Sequence, residues 1–243
     1  MKYFSPIVKL AVVLVFAALL IYNIAVKSGR RAAEKFEVRG VDVSSYQGEI
    51  DWAVLRDAGI SFAFIKATEG SGYVDRYFAE NIEGARTAGL RAGAYHFFSY
   101  DSSGISQAEN FIKTVPKYDD MLPPVVDLEF YGEYEKKPPA AEKVCKILDE
   151  LLKALREYYG KRPIIYATRR SYSLYISGRY KDCDIWICDI VKKPNLPDGR
   201  QWAFWQYSHT EKLPGYNGTE EFIDMNVFYG THDDFLRYGF AVQ

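Results

Sequence analysis

Two carboxylates separated by one residue stand near the end of the stretch Pro123–Phe130. This stretch opens with two prolines and continues as Val-Val-Asp-Leu-Glu-Phe. A short β-branched run bounded by prolines predicts a buried strand, and alternate side chains of a strand share one face. We therefore expect Asp127 and Glu129 to point the same way, with Cα atoms about 6.6 Å apart.

Two like charges this close at the end of a buried strand are costly. One common result is a carboxyl group with a raised pKa that keeps its proton at neutral pH. A proton donor beside an ionised carboxylate is the pair that cleavage of a glycosidic bond requires. An isolated D-x-E pair is more often a structural ion pair or a pair of metal ligands, so the remaining sequence has to distinguish these interpretations.

The composition favours one large domain and gives no reason to expect nucleic acid as a partner. The 243 residues are 48% hydrophobic, enough for a single large core, and 31 basic side chains balance 32 acidic ones. Aromatic residues make up 16% of the chain, which suits a carbohydrate cleft and a well-filled core equally. Cys145, Cys183 and Cys188 have no framework spacing and are expected to be free thiols. Because the three histidines are scattered, we predict no metal site. We also predict no cofactor, and we expect a monomer.

Residues 1–31 are predicted to direct the chain to or across a membrane. Lys2 and Lys9 flank the start of an apolar run, Leu10–Val26, and basic residues follow it. The run is short for a spanning helix and long for the core of a signal peptide. The absence of a small-x-small site favours an uncleaved anchor, and a cleaved signal with secretion stays open. Basic residues on both sides leave the orientation weakly specified.

After a polar linker at 32–36, residues 37–243 are predicted to form one α/β catalytic domain. Short apolar runs alternate with helical patterns at first, and no helix of useful length fits between the last three strands. This order predicts an irregular (β/α) TIM-like barrel of eight strands. The predicted strands are 38–43, 61–66, 90–97, 125–129, 163–167, 185–188, 202–207 and 222–227, and the predicted helices are 51–58, 75–88, 106–115, 140–159 and about 170–176.

Side chains capable of chemistry recur at the ends of these strands. In such barrels the reacting groups lie at the C-terminal ends of the strands. Acids at the same end of separated strands therefore predict one cleft at the barrel mouth. The residues at these positions are Asp42, Lys66 to Glu69, His96, Asp127, Glu129, Tyr166, Gln206, Tyr207 and Asp224.

A series of motifs in register resembles a known family. The motifs are Gly40–Gln47, Ile50–Trp52, Phe64–Gly70, Gly93–Phe97, Pro124–Glu129, Pro163–Tyr166, Trp186–Ile187, Trp205–Tyr207 and Ile223–Asn226. Together they cover about residues 38–228 and resemble family 25 of the glycoside hydrolases, the muramidase type of lysozyme. The resemblance implies an irregular barrel that cleaves the β-1,4 bond between N-acetylmuramic acid and N-acetylglucosamine in peptidoglycan. Because a muramidase in the cytoplasm would not meet this polymer, we expect an anchored barrel to face the periplasm or cell exterior.

The resemblance also implies roles for the four acids. By position, Glu129 matches the general acid and Asp127 the second carboxylate. Asp42 and Asp224 match the supporting acids of the cleft, and each could instead be a hydrogen-bond acceptor that holds a catalytic neighbour. We expect substrate contacts from Lys66, Glu69, Tyr95, His96, Tyr166, Trp186, Trp205, Gln206 and Tyr207.

Several of these substrate contacts have a structural alternative. Aromatic side chains in barrels are usually core, Lys66 and Glu69 can pair with each other, and His96 can be a buried, hydrogen-bonded ring. The chain also departs from the family after Trp186–Ile187. It has Cys188-Asp189-Ile190 where the family usually has a small residue, any residue and tyrosine, so one sugar contact is expected to differ.

The mechanism and two rival functions stay open at this point. The Cα spacing does not decide between a direct nucleophile and inversion through water, because the side-chain rotamers set the distance between the carboxyl groups. The resemblance favours a third route, in which Asp127 orients the substrate acetamide as it attacks the anomeric carbon. The rivals are a non-catalytic glycan-binding barrel and a metal-dependent phosphodiester hydrolase, with the four acids as cation ligands and His96 as acid/base.

Overall fold

The structure is a computed structural model that describes residues 6–240, with side chains described from residue 10 onward. Lys2 therefore lies outside the described residues, and the side chain of Lys9 is not described. One sheet of nine strands dominates the structure, and eight of them close into a barrel because β1 pairs with both β2 and β9. The strands are β1 Arg39–Val43, β2 Phe62–Glu69, β3 Tyr73–Val74, β4 Arg91–Phe97, β5 Val125–Leu128, β6 Ile164–Thr168, β7 Asp184–Cys188, β8 Phe204–Glu211 and β9 Ile223–Phe228.

The predicted barrel of eight strands is confirmed, with small shifts at the strand ends. The additional strand β3 pairs only with the end of β2 and lies outside the barrel. Within the barrel, neighbouring strands from β1 round to β8 are parallel, whereas β9 is antiparallel to both β8 and β1. The start of β9 therefore lies at the barrel mouth, where the other strands end.

Seven helices accompany the strands of the described chain. They are α1 Pro6–Ala33, α2 Trp52–Asp57, α3 Phe78–Thr87, α4 Gly104–Thr114, α5 Ala141–Tyr159, α6 Arg169–Ser171 and α7 His232–Arg237, and α6 continues into a π-helical turn at Tyr172–Ile176. Within residues 6–240 no helix separates β7 from β8 or β8 from β9, as predicted. The helix α5 buries the apolar stripe that its periodicity predicts, and Gly160 ends it in the left-handed conformation.

The barrel interior is filled by large aromatic rings. Phe62, Phe64 and Phe204 pack edge to face, and Trp186 stacks on Phe64 with ring centroids 4.5 Å apart. Gly40 makes room for this filling, because a Cβ at residue 40 would lie 2.4 Å from the Phe62 ring. The glycine of the first motif is thus required by packing, and the aromatic plug forms the floor of the mouth.

The helix α7, which the sequence analysis did not predict, closes the base of the barrel. Phe235 packs against Phe62 and Phe228 inside the strands. Arg91 at the start of β4 donates hydrogen bonds to the carbonyl oxygens of Phe235 and Tyr238. With the base sealed, the mouth is the end of the barrel at which a substrate can reach the strand ends.

The N-terminal helix runs two residues beyond the predicted boundary at residue 31 and packs on the barrel wall. Alanines 32 and 33 continue the helix because alanine has the highest helix propensity, and Ala33 is buried. Arg30 forms an ion pair of 3.0 Å with Glu211 at the end of β8. The polar linker expected at 32–36 is therefore partly helical, and Phe36 packs against Trp202.

The three cysteines are free thiols, as predicted.

Candidate active site

A cleft of about 1030 Å³ opens at the barrel mouth. All four predicted acids line it, together with five of the nine predicted substrate-contacting residues. The predicted residues that line the cleft are therefore the acids Asp42, Asp127, Glu129 and Asp224, and the substrate-contacting residues Lys66, Tyr95, Tyr166, Trp186 and Gln206. The prediction that acids on separated strands converge on one mouth is confirmed as geometry.

Asp127 and Glu129 project from the end of β5 into this cleft. The Asp127 carboxyl is buried, and its Oδ1 accepts no hydrogen bond from any described residue. The backbone at Glu129 is held by Tyr100, whose hydroxyl donates to the Glu129 carbonyl oxygen at 2.9 Å. The buried Tyr100 ring thus fixes where the Glu129 side chain begins, while Asp127 keeps an acceptor without a protein donor.

Burial changes the acidity of both groups. Desolvation raises the pKa of Asp127 well above its usual range, and the nearby Glu129 charge raises it further. Desolvation and then the Asp42 charge raise the pKa of Glu129 to about 7, while Lys66 opposes the shift. Glu129 can therefore hold a proton at neutral pH, as a general acid must.

Asp42 and Asp224 form a second pair across β1 and β9. They are direct partners in the antiparallel register. Gln206 Nε2 donates to Asp42 Oδ2 at 2.9 Å and to Asp224 Oδ2 at 3.0 Å, and Asn226 Nδ2 donates to Asp42 Oδ2 at 2.7 Å. The two amide side chains thus direct their N–H groups at carboxylate oxygens, which favours a negative charge on Asp42.

The two acids of this pair share their protons unequally. Burial raises the pKa of Asp42 to about 6. The hydrogen bonds that Asn226 and Gln206 donate to its carboxylate favour the ionised form and oppose this rise. Burial and then the Asp42 charge raise the pKa of Asp224 to about 9. Near neutral pH the favoured state is a protonated Asp224 beside an ionised Asp42.

The aromatic residues of the cleft hold the amides in place. The Tyr166 hydroxyl donates to Gln206 Oε1 at 2.9 Å, and Trp186 Nε1 donates to Asn226 Oδ1 at 2.8 Å. Both amide oxygens are thereby occupied by donors, so the amide nitrogens must face the acids. Tyr166 and Trp186 are themselves buried, and they form the floor of the cleft.

Lys66 and Glu69 lie together on β2, as the pairing alternative predicted. Lys66 Nζ is 2.8 Å from Glu69 Oε2 and 4.7 Å from the centroid of the Phe97 ring. Lys66 lines the cleft, whereas Glu69 is its half-exposed ion-pair partner outside the lining.

Three further predicted substrate-contacting residues do not reach the cleft. His96 is fully buried behind β4, where its two ring nitrogens contact Thr68 Oγ1 and Gln107 Oε1, and burial lowers its pKa to about 4. Trp205 and Tyr207 flank Gln206 on β8, and they point outward because Gln206 points inward. Both belong to the packing layer outside the barrel.

The departure from the family pattern after β7 has a structural role. Asp189 is buried, accepts hydrogen bonds from the backbone N–H groups of Val191 and Lys192, and pairs with Arg169 at 3.0 Å. It organises the loop after β7 and does not line the cleft. Cys188 lies near the cleft acids, and burial raises the pKa of its thiol to about 12, so it is a neutral thiol there.

The structure adds cleft residues that the sequence analysis missed. Asn226 is buried beneath the lining, where it donates to Asp42; it was recognisable, because it lies two residues from Asp224 on one strand and must share its face. His209 lies in the cleft wall although its sequence context carries no pattern; it stands near the end of β8, where the pairing with β9 is irregular. The other additions are Val43, Ser44, Tyr46, Gln47, Phe97, Glu220 and Phe222.

Comparisons with known proteins agree with this geometry. The family model for Glycosyl hydrolases family 25 matches residues 41–216. A solved family 25 glycosyl hydrolase from Bacillus anthracis is 53% identical, with a TM-score of 0.81 over 84% of this chain and 94% of that chain. The Escherichia coli (strain K12) protein YegX is 37% identical over 84% of this chain and 74% of its own. Lysozyme M1 of Streptomyces globisporus is 32% identical over 82% of this chain and 70% of its own.

The raised pKa of Asp224 predicts how stability depends on pH. Between the ordinary value of 3.8 and about 9 the folded protein keeps a proton that the unfolded chain releases, so the free energy of unfolding falls as pH rises through this window. Asp224→Asn imitates the protonated acid, since its amide can accept from Gln206 and donate to Asp42. We expect the stability of this variant relative to the wild type to increase from pH ~5 to pH ~8.5, measured by urea unfolding.

The matched control is Glu109→Gln, which removes an exposed carboxylate of α4. Its stability relative to the wild type should change little over the same pH range. Parallel stability curves for Asp224→Asn and the wild type would contradict a protonated Asp224.

Proposed function

The chain belongs to glycosyl hydrolase family 25 and is therefore a glycoside hydrolase, and we propose that it cleaves the β-1,4 bond between N-acetylmuramic acid and N-acetylglucosamine in peptidoglycan. Peptidoglycan hydrolysis fits the family, and Lysozyme M1 and an autolytic lysozyme of Clostridium acetobutylicum are among the similar proteins.

One observation carries the proposal: two acids with raised pKa values stand side by side at the end of β5 in an open cleft. Glu129 is the general acid that protonates the leaving oxygen. Its pKa of about 7 lets it hold a proton at neutral pH and release it without a large penalty.

Asp127 is proposed to orient the N-acetyl group of the substrate. A buried acceptor without a donor costs free energy, and Asp127 Oδ1 has no donor among the residues that the structure describes. The N–H of the substrate acetamide would supply the missing hydrogen bond and turn the acetamide oxygen toward the anomeric carbon. Burial and the Glu129 charge raise the pKa of Asp127 in the free cleft, and the new hydrogen bond favours the ionised form of Asp127. Substrate binding thus favours an ionised Asp127 beside a protonated Glu129.

Asp42 and Asp224 are proposed to act on the sugar ring that is bound in the same cleft. Asp42 is held ionised by Gln206 and Asn226, so it stabilises positive charge that develops on the sugar ring in an oxocarbenium-like transition state. Because Asp224 is protonated, no second negative charge repels the negative charge of Asp42 at this site. Tyr95 and Lys66 complete the contacts that position the sugar.

Two features argue against the rival functions. A phosphodiester hydrolase of the predicted kind needs His96 as acid/base, and His96 is buried with both ring nitrogens hydrogen bonded. A glycan-binding module that has lost activity does not need four carboxylates with raised pKa values, because their burial only costs stability. Catalysis supplies the reason to keep them.

We further propose that α1 anchors the enzyme with the barrel outside the cytoplasm. Leu10–Ala33 is long and apolar enough to cross a membrane, and the substrate lies on the outer side. A cleaved signal remains the alternative, and both place the barrel where peptidoglycan is.

The products of digestion test the proposed bond. Peptidoglycan treated with the barrel, residues 32–243, should give fragments with new reducing-end N-acetylmuramic acid, identified by mass spectrometry after reduction. The same products should form in the presence of a chelator, because no metal takes part in the proposed steps. New N-acetylglucosamine reducing ends would contradict the bond assignment, and activity abolished by the chelator would revive the phosphodiesterase-type site.

The role of Glu129 is tested by Glu129→Gln. The amide has the same shape but cannot protonate the leaving oxygen, so turnover should fall by roughly 10²–10⁴-fold while glycan binding changes little. The control is Glu133→Gln, which alters an exposed carboxylate just beyond the strand and should keep wild-type turnover. Near-normal turnover of Glu129→Gln on unmodified peptidoglycan would exclude Glu129 as the acid.

A further inference from the structure

The contacts of α1 reveal which end of the barrel faces its apolar part. Gly29 packs against the loop after β7: a Cβ at this position would lie 3.0 Å from the Val191 carbonyl oxygen. Arg30 Nη2 donates to Ser208 Oγ at 3.2 Å and to Thr210 Oγ1 at 2.6 Å. Since β7 and β8 both run toward the mouth, residues 29 and 30 lie at the level of the mouth.

The residues that follow α1 lie at the opposite end. Phe36 packs against Trp202, which precedes β8, and Tyr229, which follows the antiparallel β9. The Phe228 N–H donates to the Val38 carbonyl oxygen at 3.0 Å. These contacts are all at the base of the barrel, so the chain from Gly29 to Val38 descends the wall from mouth to base.

The helix upstream of Gly29 must therefore project beyond the mouth. The helix is continuous from residue 6 to residue 33, with no proline after Pro6 to kink it. Its apolar side chains from Leu10 to Ile24 are mostly exposed, whereas Ala25 and Val26 are partly covered and Gly29 is buried. The apolar span and the mouth thus lie on the same side of the barrel.

The separation between the span and the mouth is small. The apolar run ends at Val26, three residues before Gly29, which is about 4.5 Å along a helix. The headgroup layer of one leaflet is about 5–8 Å thick. With Val26 at the edge of the hydrocarbon, the mouth rim beside Gly29 lies at the level of the headgroups.

We propose that the active-site cleft opens toward the membrane that holds α1, and that its substrate is the peptidoglycan glycan lying against the outer leaflet, including strands still attached to a membrane lipid. The substrate class rests on the proposed function, whereas the orientation rests only on the contacts of α1. A barrel with its base toward the membrane would instead face the mature wall.

The orientation can be measured without any activity. The full chain is placed in nanodiscs that contain a lipid-borne quencher, with a fluorophore attached through a non-natural amino acid at one of two exposed positions. Thr219 lies in the β8–β9 loop at the mouth, and Asp233 lies in α7 at the base. Because β8 alone spans about 26 Å, quenching at residue 219 should exceed that at residue 233 severalfold. Equal or reversed quenching would overturn the orientation.

A spacer variant tests the substrate class. A rigid helical insert of four EAAAK repeats between Lys27 and Ser28 would lift the barrel by about 30 Å where helical. The probe is a short, uncross-linked glycan on a polyprenyl diphosphate in the same bilayer, and the control is the same glycan released from its lipid. The spacer should lower turnover of the lipid-linked glycan by about tenfold or more, since effective concentration falls when the tether holds the sites apart, and leave turnover of the released glycan unchanged.

Each outcome separates the two proposals. Equal turnover of lipid-linked glycan with and without the spacer would overturn the substrate class, even if the quenching confirmed the orientation. Failure to cleave either glycan would contradict the proposed function and leave the quenching result standing. A chain isolated from its native membrane without residues 1–27 would show that α1 is removed, and this would overturn the inference as a whole.

Discussion

The desolvation of four carboxyl groups in one cleft, one buried and three partly buried, is the constraint on which the structure depends. Isolated buried charges are far too costly to keep, so the groups must share protons and receive hydrogen bonds. Gln206 and Asn226 direct their N–H groups at Asp42, and Tyr166 and Trp186 fix both amides from the other side. Asp127 is the exception, because its Oδ1 has no donor among the described residues. A hydrogen-bond donor of the substrate would therefore bind most favourably at Asp127 Oδ1.

The antiparallel strand β9 makes this arrangement possible. In a barrel of parallel strands only, residues at the start of the last strand would lie at the base. Reversal of β9 brings Asp224 opposite Asp42 at the mouth, and the connections 189–203 and 212–222, which contain no helix, join β7, β8 and β9. The aromatic filling of the barrel and the plug by α7 then leave one open end. The reversed direction of β9 therefore makes the barrel irregular and also brings the fourth acid into the cleft.

Much of the site follows from sequence, because strand ends and acids can both be recognised there. Alternation also places Asn226 beside Asp224, and it shows that Gln206 cannot share a face with Trp205 and Tyr207, which therefore belong to the outer packing layer. Other features depend on tertiary contacts. The direction of β9, the plug formed by Phe235 and the docking of Arg30 on β8 are set by partners remote in sequence. Local patterns carry no information about them.

The proposed mechanism depends on a Glu129 that can hold a proton at neutral pH, and a titration of its carboxyl group measures the pKa directly. The carboxyl carbon of Glu129 can be followed by ¹³C NMR in glutamate-labelled protein and assigned by its loss in Glu129→Gln. We expect an apparent midpoint near the value of about 7 that burial and the Asp42 charge produce, with a second inflection where the coupled acids titrate. A single midpoint at the ordinary value of 4.5 would contradict the account, because Glu129 would then have no proton to give.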